Sequence, residues 1–337
     1  VATYREAGVD LEGADRHVER IAPLVTATWG PGVVGGFGGF AAGIELPAGY
    51  RRPVLMLSTD GVGTKLEIAR RSGLFEGVGF DLVAMCVDDL AAVGARPLGF
   101  VDYLAVGRLD PDRDAAIVAS VARACAAAGC ALVGGETAEH PGVMEPDQVD
   151  LAGAALGVVE RGSEIIGRAV GPGDVVIGLA SPNLRSNGFS LVRRIVADVD
   201  PADPFPGEDA TFGEVLLRPS VLYAPAALAA VATGAVHGMA HITGGGIPGN
   251  LVRVLPDGCH AVLDRSGWEL PGVFRVLQQM GRVPEEEMER TFNLGVGFCL
   301  VVDRGAVDDV VAVAAGFGHD ARAIGSIVAG ERGVALR

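Results

Sequence analysis

An apolar, strand-like run, Pro53-Val54-Leu55-Met56-Leu57, empties directly into Ser58-Thr59-Asp60-Gly61-Val62-Gly63-Thr64-Lys65. This junction constrains the fold more than any other stretch. A helix would not carry two closely spaced glycines well, so the extended run must turn here. Glycines also let backbone N–H groups approach an anion closely. A carboxylate beside hydroxyls can hold a hard cation such as Mg²⁺, and a lysine offers a mobile point charge to a phosphate oxygen. Lys65 is the only lysine in the sequence. Arg is a planar fork and Lys a compact charge, so the two are not equivalent at a tight site. Two readings stand: a phosphate- and metal-binding segment, or a strand and glycine turn with Lys65 in solvent. A Walker A loop is excluded, because it needs G-x-x-x-x-G-K-[ST]. Here the glycine spacing differs and Leu66 follows the lysine.

The same logic recurs along the chain. Cys130-Ala131-Leu132-Val133 reads as a short strand opening into a loop, Gly134-Gly135-Glu136-Thr137-Ala138-Glu139. Val175 to Leu179 reads as a strand, followed by Ser181-Pro182-Asn183-Leu184-Arg185-Ser186-Asn187-Gly188 and a helix from Phe189 to Val196. That arrangement suits a phosphate cradle and equally an ordinary helix cap. Val236 to Ile242 reads as a strand ending at Thr243-Gly244-Gly245-Gly246, a second anion-loop pattern. His241 just ahead of it is either an acid/base at neutral pH or a satisfied core histidine. Gly30 to Phe40 is too glycine-rich for a helix and either covers a ligand or turns beside a strand. Within a helix predicted over Gly79 to Gly94, Asp88 and Asp89 point about 100° apart. One can face a metal while the other caps or meets solvent. Asp110-Pro111 starts a helix by cap and first-turn proline that runs to about Ala128.

Strands alternate with helices in both halves, which predicts two α/β or α+β domains. Gly-Pro-Gly within Arg168 to Asp174 breaks the pattern and places the boundary between domains 1–168 and 169–337. The net charge of −15 argues against nucleic-acid binding, which needs a basic face, and leaves room for a small anionic ligand in a local pocket. Five cysteines without a C-x-x-C pair predict reduced, buried thiols in a cytosolic protein. No leader and no apolar run of transmembrane length is visible.

Taken together, the motifs resemble the phosphoribosylformylglycinamidine cyclo-ligase (aminoimidazole ribonucleotide synthetase) family. The matching segments are Tyr4 to Asp10, Gly35 to Phe40, Thr59 to Lys65, Asp81 to Leu90, Gly134 to Glu139, Ser186 to Arg193, His241 to Gly246 and Thr291 to Gly297, in the family's order. The resemblance implies an ATP- and Mg²⁺-dependent ring closure in purine biosynthesis. It also implies a cytoplasmic homodimer whose first domains join their sheets into a barrel-like core. Carried over by residue, Asp60 and Asp88 would hold Mg²⁺. Gly61, Val62, Gly63, Thr64 and Lys65, with Gly36, Glu136 and Thr137, would line one ATP cleft. Arg185, Ser186, Asn187, Thr243, Gly244, Gly245 and Gly246 would meet the ribonucleotide, and His241, Lys65 and Asp60 would serve the chemistry. One departure stands out: Arg185 occupies a position where the family usually has histidine. Arg cannot exchange a proton near neutral pH, so a related enzyme acting on another phosphorylated or amide substrate is the alternative expectation.

Overall fold

The computed structural model describes residues 6–337; Tyr4 and Arg5, the start of the first matching segment, lie outside them. Two separate sheets organise the chain. The first has four strands in the order Pro53–Gly61, Val149–Glu160, Arg96–Val106, Ala131–Glu139. Its pairs are antiparallel except the last, which is parallel. The second has six strands in the order Gly333–Leu336, Cys259–Leu263, Ala321–Ala329, Val175–Ala180, Val296–Val302, Val236–His241. Only its first pair is parallel. Antiparallel pairing dominates both sheets, so the architecture is α+β rather than doubly wound α/β.

The two sheets differ in how they are covered. All residues of Val296–Val302 are buried. Phe298, Leu300 and Val302 enter one apolar cluster, while Cys299 and Val301 enter the other, on the opposite face. Alternation along a strand produces this division. Val296 shares the parity of Phe298 yet packs on the other face, because the register shifts between them. The first sheet has helices Val78–Ala92 and Pro111–Ala128 on one face only. Its other face leaves Leu55, Leu57, Val101 and Tyr103 exposed, Leu57 by 78%. One chain thus supplies an open four-stranded sheet, not a closed barrel.

Helix Pro111–Ala128 is bounded as its sequence predicts. Asp110 accepts from Asp112 N and Arg113 N, and Gly129 ends the helix at φ 72°. Two predicted loops are corrected. Gly134 to Glu139 is strand, paired with Arg96–Val106 out to Val106↔Glu139. Ser58, Thr59 and Asp60 are likewise strand, paired with Val149–Glu160. Backbone hydrogen bonds to a neighbouring strand override the low strand propensity of glycine and aspartate. Only Val62 to Thr64 turns, and Lys65 begins a helix, Lys65–Ser72.

Candidate active site

Helix Val78–Ala92 lies between the first sheet and the second half of the chain, so most of it is buried. Asp81, Met85 and Asp88 stand at i, i+4 and i+7, one stripe of the helix. Each engages the second half. Asp81 Oδ1 accepts from Ser220 N (3.0 Å) and Ser220 Oγ (2.6 Å). Asn187 Nδ2 donates to Met85 Sδ (3.5 Å). Asp88 Oδ1 accepts from Tyr223 N (2.9 Å) and Ala224 N (2.8 Å) at the start of helix Ala224–Val231. Its Oδ2 accepts from Arg185 Nη2 at 2.6 Å. Asp88 is therefore a buried cap and ion-pair partner.

Asp89, one residue on, faces the other way. Its side chain is 51% exposed, and Oδ1 lies 2.9 Å from His241 Nδ1. Ser58 Oγ donates to its other oxygen at 3.4 Å. Asp60 is close by. Burial pushes its carboxyl above the ordinary range and the Gly61 N–H pulls it back; the Asp89 charge adds to the rise and His241 opposes it. Two carboxylates of this kind, side by side, invite a cation. His241 is only 2% exposed, with Nε2 4.0 Å from Asp88 Oδ2. Nδ1 holds Asp89, while Nε2 is buried without a hydrogen-bond partner.

Lys65 and Arg185 are packed inside the molecule, both fully buried. Lys65 Nζ pairs with Asp81 Oδ2 at 2.7 Å and donates to Arg185 O and Arg218 O. The Arg185 guanidinium also donates to Gly297 O (3.2 Å) and Val221 O (3.0 Å) and lies over the Tyr223 ring. Each cation already satisfies buried acceptors, and Arg185 Nε is left buried without a partner.

The remaining predicted residues fall into two groups. In the first, the Val62–Thr64 turn meets the second half: Ser186 Oγ donates to Val62 O (3.0 Å), and Thr64 Oγ1 and Ser190 Oγ lie 3.3 Å apart. The 243–246 loop is tied by Asn250, whose Nδ2 donates to Thr243 O, Gly244 O and Gly246 O. Gly246 (φ 62°) admits no side chain, since a Cβ would lie 1.8 Å from Glu289 O. Gly244 faces Asn187. The second group, Gly36, Glu136 and Thr137, lines a cavity of about 860 Å³ between helix Leu11–Thr26, the 36–42 segment and strand Ala131–Glu139. These strands are opposite edges of the first sheet, so within one chain the predicted ATP cleft is split. The two ends share one register row, Asp60↔Gly153↔Asp102↔Gly135. Asp102 borders the cavity and is pushed up to about 7 by burial. A Cβ on Gly135 would lie 2.2 Å from its Oδ1. His17, also at the cavity, has Nε2 3.4 Å from Thr137 Oγ1, and burial lowers its pKa.

Asp102 and His17 escape sequence reasoning, Asp89 is paired there with Asp88 without a choice between them, and Asp81 enters only as part of a matching segment. The i, i+4, i+7 stripe was the available signal for Asp81. None existed for Asp102, which sits in an apolar strand. All five cysteines are free and buried. Among the described residues no helix is long and apolar enough to cross a membrane.

Residues 44–159 match the model of the AIR synthase related protein, N-terminal domain, and residues 171–336 that of its C-terminal domain. A phosphoribosylformylglycinamidine cyclo-ligase of Sorangium cellulosum is 51% identical, over 97% of this chain and 95% of the relative. One of Bordetella petrii is 48% identical, over 99% and 96%. Among solved structures, thiamine-monophosphate kinase from Stenotrophomonas maltophilia K279a superposes with TM-score 0.67 at 20% identity, covering 96% of this chain and 94% of that one. Hydrogenase maturation protein HypE in complex with ATP gives 0.69 at 19%, covering 94% and 90%. At such identities these two structures speak for the fold alone.

Proposed function

This chain belongs to the AIR synthase related protein family, and on that premise we propose how its residues divide the work of an ATP-dependent cyclo-ligase. The enzyme closes the imidazole ring of formylglycinamidine ribonucleotide, giving aminoimidazole ribonucleotide, ADP and phosphate in purine biosynthesis. An amide oxygen is a poor leaving group. Transfer of the ATP γ-phosphoryl to the formyl oxygen makes it a good one. The internal amine then attacks that carbon, phosphate departs and a proton is released. Positioning and charge neutralisation carry most of such a reaction.

The observation that supports the assignment is the junction of the Val62–Thr64 turn with Ser186, Asn187 and the 243–246 loop. Gly63 and Thr64 meet the nucleotide phosphates through backbone N–H groups, while the N–H of Gly61 goes to Asp60 Oδ1 and that of Val62 to Leu151 O, which fixes the turn that presents them. Ser186, Asn187 and Thr243–Gly246 meet the ribonucleotide. Gly36, Glu136 and Thr137 receive the rest of the nucleotide, supplied across the sheet by a second copy. Asp60 and Asp89 are the carboxylates that would hold Mg²⁺, with His241 fixing Asp89. The mutual charge of this pair supports the fit. When bound, Mg²⁺ would neutralise charge on the phosphate oxygens.

Arg185 carries no argument for a different substrate, because its guanidinium is buried against Asp88. The homodimer belongs to the same proposal: the exposed apolar face of Leu55, Leu57, Val101 and Tyr103 closes against its copy as a barrel-like core. So do the division into domains 1–168 and 169–337 and a cytoplasmic location, which free thiols suit. The test is direct. Purified protein given formylglycinamidine ribonucleotide, ATP and Mg²⁺ releases ADP and aminoimidazole ribonucleotide one for one, and sedimentation equilibrium gives twice the chain mass. No ADP and no product overturns the catalytic reading; a monomer mass overturns the shared site.

A further inference from the structure

The sole lysine of the sequence stands inside a motif that looks made for phosphate, yet its ammonium points away from solvent. Lys65 Nζ has three oxygen partners: Asp81 Oδ2 at 2.7 Å, Arg185 O at 2.9 Å and Arg218 O at 3.0 Å. Two of these contacts are hydrogen bonds to carbonyls and the third is an ion pair with the Asp81 carboxylate. The ring of Phe189 lies 5.3 Å from it. The three oxygens come from three places: helix Val78–Ala92, the 181–188 loop, and the 217–223 segment. Lys65 therefore pins two loops of the second half to a helix of the first.

The pin acts where the loop is hardest to hold. Arg185 has φ 59°, a left-handed conformation that a long side chain adopts reluctantly. Its carbonyl goes to Lys65, its N–H to Asn183 Oδ1 at 2.9 Å, and its guanidinium to Asp88. Those three ties hold the residue immediately before Ser186 and Asn187. Asp81, on its other side, fixes Ser220, two residues beyond the Arg218 carbonyl.

We infer that Lys65 is a positioning residue: with Asp81 it clamps the 183–188 loop, so that Ser186 and Asn187 meet the ribonucleotide preformed, and it makes no contact with ATP. The substrate half of this statement rests on the proposed function above; the absence of a nucleotide contact does not.

Two experiments separate the clamp from a phosphate contact. Lys65 is the only ε-amine in the sequence, so acylation reads its surroundings without mutation. Native protein is treated with sulfo-N-hydroxysuccinimide acetate, with and without ATP, and the arginine-cleaved peptide holding residue 65 is weighed. The clamp predicts acetylation below about a tenth of the denatured level, equal in both samples, since access requires opening of the structure. Rapid acetylation that ATP suppresses overturns the inference. This arm needs no turnover, so failure of the functional reading leaves it decisive.

The second arm compares Lys65→Met with Lys65→Met/Asp81→Leu. The single variant strands a buried carboxylate; the double removes both charges, the replacement that buried pairs tolerate best. For the single variant, the KM for ribonucleotide rises about tenfold and the KM for ATP stays within about twofold. In the double variant, activity returns to within about threefold of the parent. A tenfold rise in the KM for ATP, unrepaired by the double variant, overturns the clamp. If the single variant does not fold, the acylation result stands alone.

Discussion

Asp88 and Asp89 are chemically identical neighbours on one helix, and they belong to different worlds. Asp88 faces a dry seam: both oxygens are taken by Arg185 and by the first amides of helix Ala224–Val231. Asp89 faces the open side of the same seam, half exposed and steadied by His241. The same contrast separates Lys65, sealed among three acceptors, from the Val62–Thr64 turn beside it. The lesson concerns which polar groups are available for chemistry. A buried, saturated charge holds the walls in place; the partly wet charge next to it is free to exchange partners.

The contrast can be broken by mutation. Asp88→Ala leaves a buried guanidinium unpaired and two helix-start amides without their acceptor. Removal of one member of a buried pair costs about 3–5 kcal/mol, so denaturant unfolding registers a large loss, with soluble yield falling in step. If Asp88→Ala melts like the parent, the dry seam has been misjudged. Asp89→Asn keeps the shape and removes a charge at a half-exposed position. It changes stability by about 0.5 kcal/mol or less, while the rate of product formation falls by about a hundredfold, the scale of a lost transition-state electrostatic contact. A stability loss as large as that of Asp88→Ala, with the rate retained, would reverse the two roles.

A smaller effect tests the cavity end of the register row. Asp102 has its carboxyl raised from 3.8 to about 7 by burial. The folded protein therefore holds this proton more tightly than the unfolded chain does. Its stabilising contribution is present below about pH 4 and is lost as pH climbs toward 7. The unfolding free energy of Asp102→Asn relative to the parent therefore rises across that window. A variant with the parent's slope would mean that the carboxyl is better solvated than its cavity implies.

Much of this is legible in the sequence. The helix Pro111–Ala128 announces its ends through Asp110, Pro111 and Gly129, all local signals. Strand Val175–Ala180 comes within one residue of the run read as Val175 to Leu179, because an apolar run between turns leaves few alternatives. The motif order pointed to the family that the matches to both domains now identify. What stayed hidden depends on a second layer. Gly134 to Glu139 becomes strand only because Arg96–Val106 pairs with it. Lys65 is read from its neighbours as a phosphate ligand or a solvated charge, whereas the structure seals it against Asp81 and the Arg218 carbonyl, which arrive from elsewhere in the chain. The choice between Asp88 and Asp89 is set by which side of the helix the second half covers. Arg185, which looks like a lost proton carrier, is explained by the carboxylate it meets.

The double-faced burial of Val296–Val302 also sets a clock. Its amides are bonded on both sides, to Val175–Ala180 and Val236–His241, and no residue of the strand touches water. Deuterium enters such a strand only when the larger sheet opens as a unit. Exchange should therefore run inward, first through the half-buried edge Gly333–Leu336 and last through Val296–Val302. That last rate reports the global unfolding of the second half, against which every local opening near the 183–188 loop can be timed.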